Sequence, residues 1–309
     1  MKILFMGTPE FARKSLEALV EDGTNEIVGV ISQPDKPKGR KMELSMPEVK
    51  VYALEKGLKV YQPETLKDNA ILPLLEELAP ELIVVVAYGK ILPEYILNFP
   101  KYRCINIHAS LLPRFRGAAP IQRAVMAGDS VSGVTSMYLE KGLDTGDMIL
   151  KAEVPITRDM TASMLHDVLA EVGGKVLIET VERFKNGDLS AEKQDEALAC
   201  YAHMLTKAEG EIDWTRPAEE IYNKVRGLNS WPMAYSYMDG KRFVIDLVKM
   251  SEGSGKAGEV IAVDGSGMTV ACGDGAVKIE NVKFEGKNRM TVEEYLRGHK
   301  IETGAFLGR

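Results

Sequence analysis

The sequence contains little cysteine and no long apolar run. Its three cysteines, Cys104, Cys200 and Cys272, are widely separated and odd in number, so they match neither a disulfide framework nor the ligand spacing of a zinc site. No apolar run approaches the roughly 20 residues that a membrane-spanning helix needs. Residues 1–5 lead directly into a strand-like segment and lack the cleavage region of a signal peptide. We therefore expect a cytoplasmic protein that binds no metal and does not associate with a membrane.

The chain also lacks an excess of positive charge. Lysine and arginine total 39 against 45 aspartates and glutamates, which gives a formal net charge of −6. Such a chain is not attracted to nucleic acid as a whole, so a nucleic-acid partner would need a local basic patch. The candidate patch is Lys36-Pro-Lys-Gly-Arg-Lys41. Composition alone favours a solvated turn there, and the alternative is a loop that contacts phosphates through Lys38, Arg40 and Lys41.

A glycine-rich nucleotide loop is missing after the first apolar run. Gly7-Thr8-Pro9 has neither the three glycines of a dinucleotide fingerprint nor the lysine of a Walker motif. A tight turn from strand to helix is the favoured interpretation of this segment.

Apolar runs alternate with helical patterns through the first half of the chain. The runs at 3–6, 27–31 and 82–87 are nearly continuous, as in parallel strands that are buried on both faces. Helical spacing is found near 12–20, 47–56 and 161–185. This alternation predicts a doubly wound α/β domain with a mostly parallel sheet, whose ligands bind at the carboxyl ends of the strands.

The pattern changes near residue 190, and 309 residues are enough for two cores. Residues 190–207 are predicted to be a linker that begins in a polar, aperiodic stretch. Beyond them, a helical pattern at 218–226 is followed by short alternating segments with turn signals such as Asp239-Gly240, which predict an antiparallel β-barrel. We therefore expect a catalytic domain over 1–189 and a smaller barrel domain over 208–309.

Asn106 and His108 form the candidate catalytic pair. They are two residues apart on a predicted strand, so their side chains point to the same face. Asp144 lies on a loop punctuated by glycines, and its carboxylate could orient the imidazole and favour its protonated form. Polar strand-end residues that are satisfied by backbone are the plainer explanation of such a pair. The acidic loop and the expected position at the carboxyl edge of the sheet favour a site for attack on a carbonyl.

These motifs together resemble the folate-dependent formyltransferases. The stretch from Asn106 to Gly117 is similar to their signature, and Leu143 to Asp147 is similar to the loop that carries their catalytic aspartate. Four further segments narrow the resemblance to the methionyl-tRNA formyltransferase family, over nearly the whole chain: 5–11, 33–40, 210–214 and 230–232.

The resemblance implies transfer of a formyl group from 10-formyltetrahydrofolate to the amino group of methionine on initiator methionyl-tRNA, without a metal. It implies tRNA contacts for Lys38, Arg40 and Lys41, with help from a second domain that resembles an oligonucleotide-binding fold. The protein is expected to be a monomer. The expected folate site is formed by Tyr88, Gly89, Ile91, Ser110, Leu111, Leu112 and Pro113.

Elementary chemistry supports the catalytic roles. An α-amino group titrates near about pH 7.7–8.0, and an adjacent ester lowers that value, so strong base catalysis is unnecessary. We expect Asn106 and His108 to donate hydrogen bonds to the developing oxyanion and His108 to relay a proton. Asp144 is expected to orient His108.

Three other functions stay open at this point. A sugar-nucleotide formyltransferase would use the same three residues but should lack the basic insertion and this second domain. A nicotinamide oxidoreductase should show the missing glycine fingerprint. An RNA-binding protein without enzymatic activity would leave the three catalytic candidates unexplained.

Overall fold

The computed structural model describes residues 1–38 and 43–308, and the chain divides into two compact units. The first unit comprises the described residues of Met1–Gly117, Val131–Pro155 and His166–Ala202. The second comprises those of Ala118–Ser130, Ile156–Leu165 and His203–Arg309. Residues 190–202, predicted as part of a linker, thus belong to the first unit. The predicted domain limits at 189 and 208 remain predictions.

Strands and helices alternate in the first unit, as the apolar periodicity predicts. Its strands are β1 (Lys2–Gly7), β2 (Glu26–Ile31), β3 (Lys36–Lys38), β4 (Glu43–Ser45), β5 (Val60–Tyr61), β6 (Leu82–Val86), β7 (Cys104–His108), β8 (Val131–Tyr138) and β9 (Met148–Pro155). The helices of the whole described chain are α1 (Glu10–Asp22), α2 (Glu48–Glu55), α3 (Leu72–Leu78), α4 (Glu94–Leu97), α5 (Pro120–Met126), α6 (Ala162–Lys185), α7 (Ala218–Leu228) and α8 (Val292–Leu296). Short 3-10 turns occur at Glu196–Leu198 and Ala208–Gly210.

Seven strands of the first unit form one sheet in the order β5-β2-β1-β6-β7-β8-β9. The pairings from β5 to β7 are parallel, and those of β8 and β9 are antiparallel. Apolar residues of β1 and β6 pack against α3 and α4 on one face. The prediction of a mostly parallel α/β sheet is therefore confirmed.

Two glycines let helix α6 pack closely on the other face. A Cβ atom added at Gly174 would lie 2.9 Å from the Cβ atom of Ala18 on α1, and one at Gly173 would lie 3.3 Å from Cγ2 of Ile107 on β7. Ile107 lies between the two candidate catalytic residues in the strand. Because successive side chains of a strand point to opposite faces, Asn106 and His108 face away from α6.

The second unit contains an antiparallel sheet, as predicted. Its strands are β10 (Ala234–Met238), β11 (Lys241–Ser251), β12 (Val260–Asp264), β13 (Gly267–Ala271), β14 (Ala276–Phe284) and β15 (Met290–Thr291). They follow the order β10-β11-β14-β13-β12, with β15 paired to β14. Within the described residues this order has two ends, so closure into a barrel is not part of the observed pairing. The backbone N–H of Leu307 donates to the carbonyl of Gly258 (2.8 Å), and that of Gly308 donates to the carbonyl of Tyr237 (2.9 Å).

Candidate active site

Strand β7 places Asn106 and His108 in the middle of the sheet, at its carboxyl end. Asn106 pairs with Val85 of β6, and His108 pairs with Thr135 of β8. Their side chains are only 9% and 6% exposed. The alternation predicted from the sequence therefore puts an amide and an imidazole side by side, at the edge where α/β sheets bind ligands.

The carboxamide of Asn106 makes no side-chain hydrogen bond within residues 1–38 and 43–308, and its polar atoms keep some contact with solvent. An asparagine side chain carries two N–H donors and one acceptor oxygen. Most buried amides use these groups within the protein. The Asn106 donors are thus available to an oxygen atom of a bound molecule.

The two ring nitrogens of His108 both face acceptors. Nε2 lies 2.9 Å from the carbonyl oxygen of Phe115, and Nδ1 lies 3.7 Å from Oδ2 of Asp144. Because a carbonyl oxygen can only accept, the ring N–H at Nε2 donates to Phe115. The structure brings the predicted histidine–aspartate pair together as an electrostatic contact, because 3.7 Å exceeds a hydrogen-bond distance.

Asp144 is held by its backbone surroundings. Its φ angle of +53° lies in the left-handed region, and its Oδ2 accepts a hydrogen bond of 2.8 Å from the N–H of Gly117. A Cβ atom at Gly146 would overlap the carbonyl oxygen of Tyr138. The tight turn of this loop therefore requires glycine at 146, and the hydrogen bond from Gly117 directs the Asp144 carboxylate.

Three further residues anchor the site. The sequence placed Arg116 in the signature stretch without a role, and it did not identify Gln194 or Glu196 as functional. Gln194 Nε2 donates to the carbonyls of Asp144 and Gly146, both at 2.8 Å, and its Oε1 accepts from Arg116 Nε at 2.9 Å. Arg116 is fully buried and donates twice to Glu196, at 3.0 and 2.8 Å. These hydrogen bonds hold the pKa of Glu196 below its usual range. Gln194 and Glu196 lie in a polar stretch without periodicity, which carries no local signal of burial.

The segment after β7 uses its side chains internally. Ser110 is fully buried, its hydroxyl donates to the carbonyl of Arg114 at 2.6 Å, and its carbonyl accepts from Thr135 Oγ1 at 2.7 Å. Leu112 packs in a buried cluster, Pro113 is buried and Leu111 is half-buried. Folate contacts from Ser110 to Pro113 remain a prediction, and they would have to come mainly from the backbone.

The segment after β6 leaves the sheet next to β7. The Tyr88 side chain lies in the core, where burial raises its pKa to about 12, and its carbonyl accepts a hydrogen bond from Thr8 Oγ1 at 3.1 Å. Gly89 is exposed with open space at its Cβ position, and the Ile91 side chain is 87% exposed. The predicted folate contacts of these three residues likewise remain predictions.

The basic loop begins as a hairpin. Strand β3 pairs with β4, and Pro37 is opposite Leu44. Arg40 and Lys41 lie outside the described residues, as does the side chain of Lys38. The predicted tRNA contacts of these three cations are therefore still predictions.

Residues 1–38 and 43–308 contain neither a cluster of metal ligands nor a membrane-spanning helix. No three histidine, cysteine, aspartate or glutamate side chains in this part are grouped so as to hold a metal ion. None of its helices combines the length and the apolar composition needed to cross a membrane.

Comparison with known proteins covers both units. The formyl transferase pattern matches residues 1–181, and the pattern of the formyl transferase C-terminal domain matches residues 204–300. The methionyl-tRNA formyltransferase of Citrifermentans bemidjiense is 46% identical, over 100% of this chain and 97% of its own length. That of Clostridium novyi is 48% identical, over 99% of this chain and 100% of its own.

A solved structure shares the fold. The N-formyltransferase from Helicobacter canadensis, in complex with folinic acid and dTDP-3-aminofucose, superposes with a TM-score of 0.67. It is 18% identical and covers 92% of this chain and 99% of its own. At this identity the similarity concerns the fold alone.

The α/β sheet with its amide–imidazole pair and the two matched patterns together define an enzyme that transfers a one-carbon group, a formyl transferase. Within that class, the chain belongs to the family of methionyl-tRNA formyltransferases. The resemblance inferred from the sequence motifs is confirmed.

Proposed function

We propose that this protein transfers the formyl group of 10-formyltetrahydrofolate to the amino group of initiator methionyl-tRNA, giving N-formylmethionyl-tRNA for translation initiation. The observation that carries the chemistry is the Asn106 carboxamide, whose donors have no partner within the described chain and which lies beside His108. Similarity to methionyl-tRNA formyltransferases over the whole chain supports the acceptor. We place the reaction in the cytoplasm and the protein in a monomeric state.

The residues present fit a formyl donor. When bound, the folate supplies a formyl group whose carbonyl oxygen can accept hydrogen bonds from the unpaired N–H groups of Asn106. The open space around Gly89 lets a flat ring approach the backbone after β6. Tyr88, Gly89 and Ile91 form one side of this folate site and Ser110 to Pro113 the other, largely through backbone groups.

The site lowers the activation barrier by stabilising the charge that develops on the formyl oxygen. As the amine attacks the formyl carbon, negative charge develops on that oxygen, and preorganised donors in a site with little water stabilise it. Asn106 supplies one donor. We assign the second donor to the imidazole of His108, whose Nδ1 has no hydrogen bond of normal length within the described residues.

Asp144 assists the transfer of the proton that the amine loses. Its Oδ2 is bound by Gly117, whereas its Oδ1 has no hydrogen-bond partner in the described part of the chain. Oδ1 therefore orients a water molecule that takes the proton lost by the amine and returns it to the leaving folate nitrogen. The Asp144 carboxylate, 3.7 Å from Nδ1, at the same time orients the His108 ring.

The second unit assists the large acceptor. We propose that its sheet is a barrel of the oligonucleotide-binding type, supported by the carboxyl-terminal hydrogen bonds of Leu307 and Gly308 to two separate parts of the unit. Lys38, Arg40 and Lys41 neutralise tRNA phosphates, which would give the acidic protein its local basic patch.

The experiment compares acceptors. The protein is incubated with 10-formyltetrahydrofolate and either charged initiator tRNA or a panel of amino-sugar nucleotides, and formylated products are quantified. Formylation of the tRNA with no sugar product is expected. Preference for an amino sugar would assign the site to a sugar-nucleotide formyltransferase, and no product with any acceptor would refute formyl transfer.

A further inference from the structure

Every hydrogen bond of the Gln194 side chain ends on a residue next to the proposed reaction centre. Its two donor bonds hold the carbonyls of Asp144 and Gly146, on either side of the turn that aims the aspartate. Its acceptor bond holds the side chain of Arg116. Gln194 is itself 96% buried, with 4% of its surface exposed. It is therefore a rigid anchor rather than a solvated surface amide.

Arg116 connects this anchor to the Asp144 carboxylate by a second route. Its N–H donates to the carbonyl of Cys200 at 2.9 Å, and its carbonyl accepts from the N–H of Ala202 at 2.7 Å. The next residue, Gly117, donates its N–H to Asp144 Oδ2. The position of that donor consequently depends on how Arg116 is held. Gln194 thus holds the Asp144 backbone directly, and it also holds the side chain of Arg116, the neighbour of the Gly117 donor to the Asp144 carboxylate.

We propose that Gln194 is a positioning residue for formyl transfer and acts through Asp144. This inference rests on the proposed function. The Asp144 backbone lies in the left-handed region, and Gly142 and Gly146 flank it, so the loop has little local stiffness of its own. Gln194 supplies that stiffness and keeps Asp144 Oδ2 beside His108 Nδ1. Misplacing a reacting group by about 1 Å can reduce a rate about 10²-fold, so an anchor of this kind has a kinetic effect.

The test variants differ in which bonds they remove. Gln194→Glu keeps an acceptor for Arg116. It replaces the N–H group that donates to the carbonyls of Asp144 and Gly146 by an oxygen that cannot donate. Gln194→Met removes all three hydrogen bonds and keeps a side chain of similar length. Thr180→Val is the matched control, because it deletes another fully buried group of the first unit, a hydroxyl within hydrogen-bond distance of the Val176 carbonyl and Ser136 Oγ.

Full-length variants are assayed with 10-formyltetrahydrofolate and charged initiator tRNA, and folding is followed by circular dichroism and urea denaturation. Both Gln194 variants should lower kcat by about 10–100-fold, with KM for each substrate within about threefold of the parent. Thr180→Val should lose stability and keep kcat. If Gln194→Met does not fold, Gln194→Glu carries the comparison.

A double-mutant cycle with Asp144→Asn identifies the route of the effect. If Gln194 acts through Asp144, the double variant Gln194→Glu/Asp144→Asn should be no slower than Asp144→Asn, within about twofold. Additive losses, or a Gln194→Glu variant with the kcat of the parent, would overturn the inference. If instead Asp144→Asn alone retains full activity, the proposed catalytic role of Asp144 fails, and that outcome is distinct from a failure at Gln194.

Discussion

Replacement of Asn106 by alanine should separate catalysis from stability. Because its carboxamide has no hydrogen-bond partner in the described residues, truncation leaves no protein donor or acceptor unsatisfied. We expect the free energy of unfolding to fall by at most about 1 kcal/mol, the size of an ordinary substitution that breaks no polar network.

The rate should change far more. Removal of one preorganised oxyanion donor typically reduces kcat by about 10²–10³, which corresponds to about 2.7–4 kcal/mol of transition-state stabilisation. Asn106→Ala should therefore be a folded, slow enzyme. Thr180→Val should show the reverse behaviour, with about 1–3 kcal/mol lost from stability, because its replacement unpairs a buried group, and no loss of kcat.

Steady-state formylation of charged tRNA and urea denaturation of both variants provide the comparison. A kcat for Asn106→Ala within a few-fold of the parent would show that this amide does not stabilise the developing charge. A loss of stability as large as that of Thr180→Val would show that the carboxamide has structural partners in solution.

Three other perturbations test the remaining features. Arg116→Met should lower the free energy of unfolding by about 2–4 kcal/mol in denaturant titration, because the buried acceptor Gln194 Oε1 loses its donor. Glu196→Gln should lower it much less, since the Glu196 side chain is 71% exposed. Equal losses for the two variants would contradict this. Arg123, 2.6 Å from Glu209, holds the pKa of that carboxyl below the usual 4.5 through a hydrogen bond. A lowered pKa gives stability that is present above the unfolded value and is lost as pH falls through the folded one. Glu209→Gln should therefore flatten the acid decline of stability, and an unchanged decline would refute the pairing. Arg40→Ala should reduce the slope of log tRNA affinity against log salt by about 0.7–0.9 per lost phosphate contact, and parallel salt titrations of equal height would refute contact with tRNA.

Local periodicity was enough to locate the main elements. The runs predicted at 27–31 and 82–87 are strands β2 and β6, and the helical patterns at 47–56 and 161–185 are α2 and α6. These features depend on neighbours a few residues apart, so one sequence contains them. Which faces are covered is a tertiary property: Val168 lies within the helical pattern of 161–185, yet it is 40% exposed in α6.

Some features of the site could also be predicted from local sequence. Spacing of two placed an amide and an imidazole on one face, and a glycine-punctuated loop offered the carboxylate. Their mutual arrangement was not local. Gln194 is 50 residues from Asp144 and 78 from Arg116 along the chain, and such hydrogen bonds leave no trace in composition or period. Only the folded chain decides that Gln194, in an exposed polar stretch predicted as a linker, is itself buried and holds the Asp144 loop. The reason is that only folding brings those groups within 3 Å of each other.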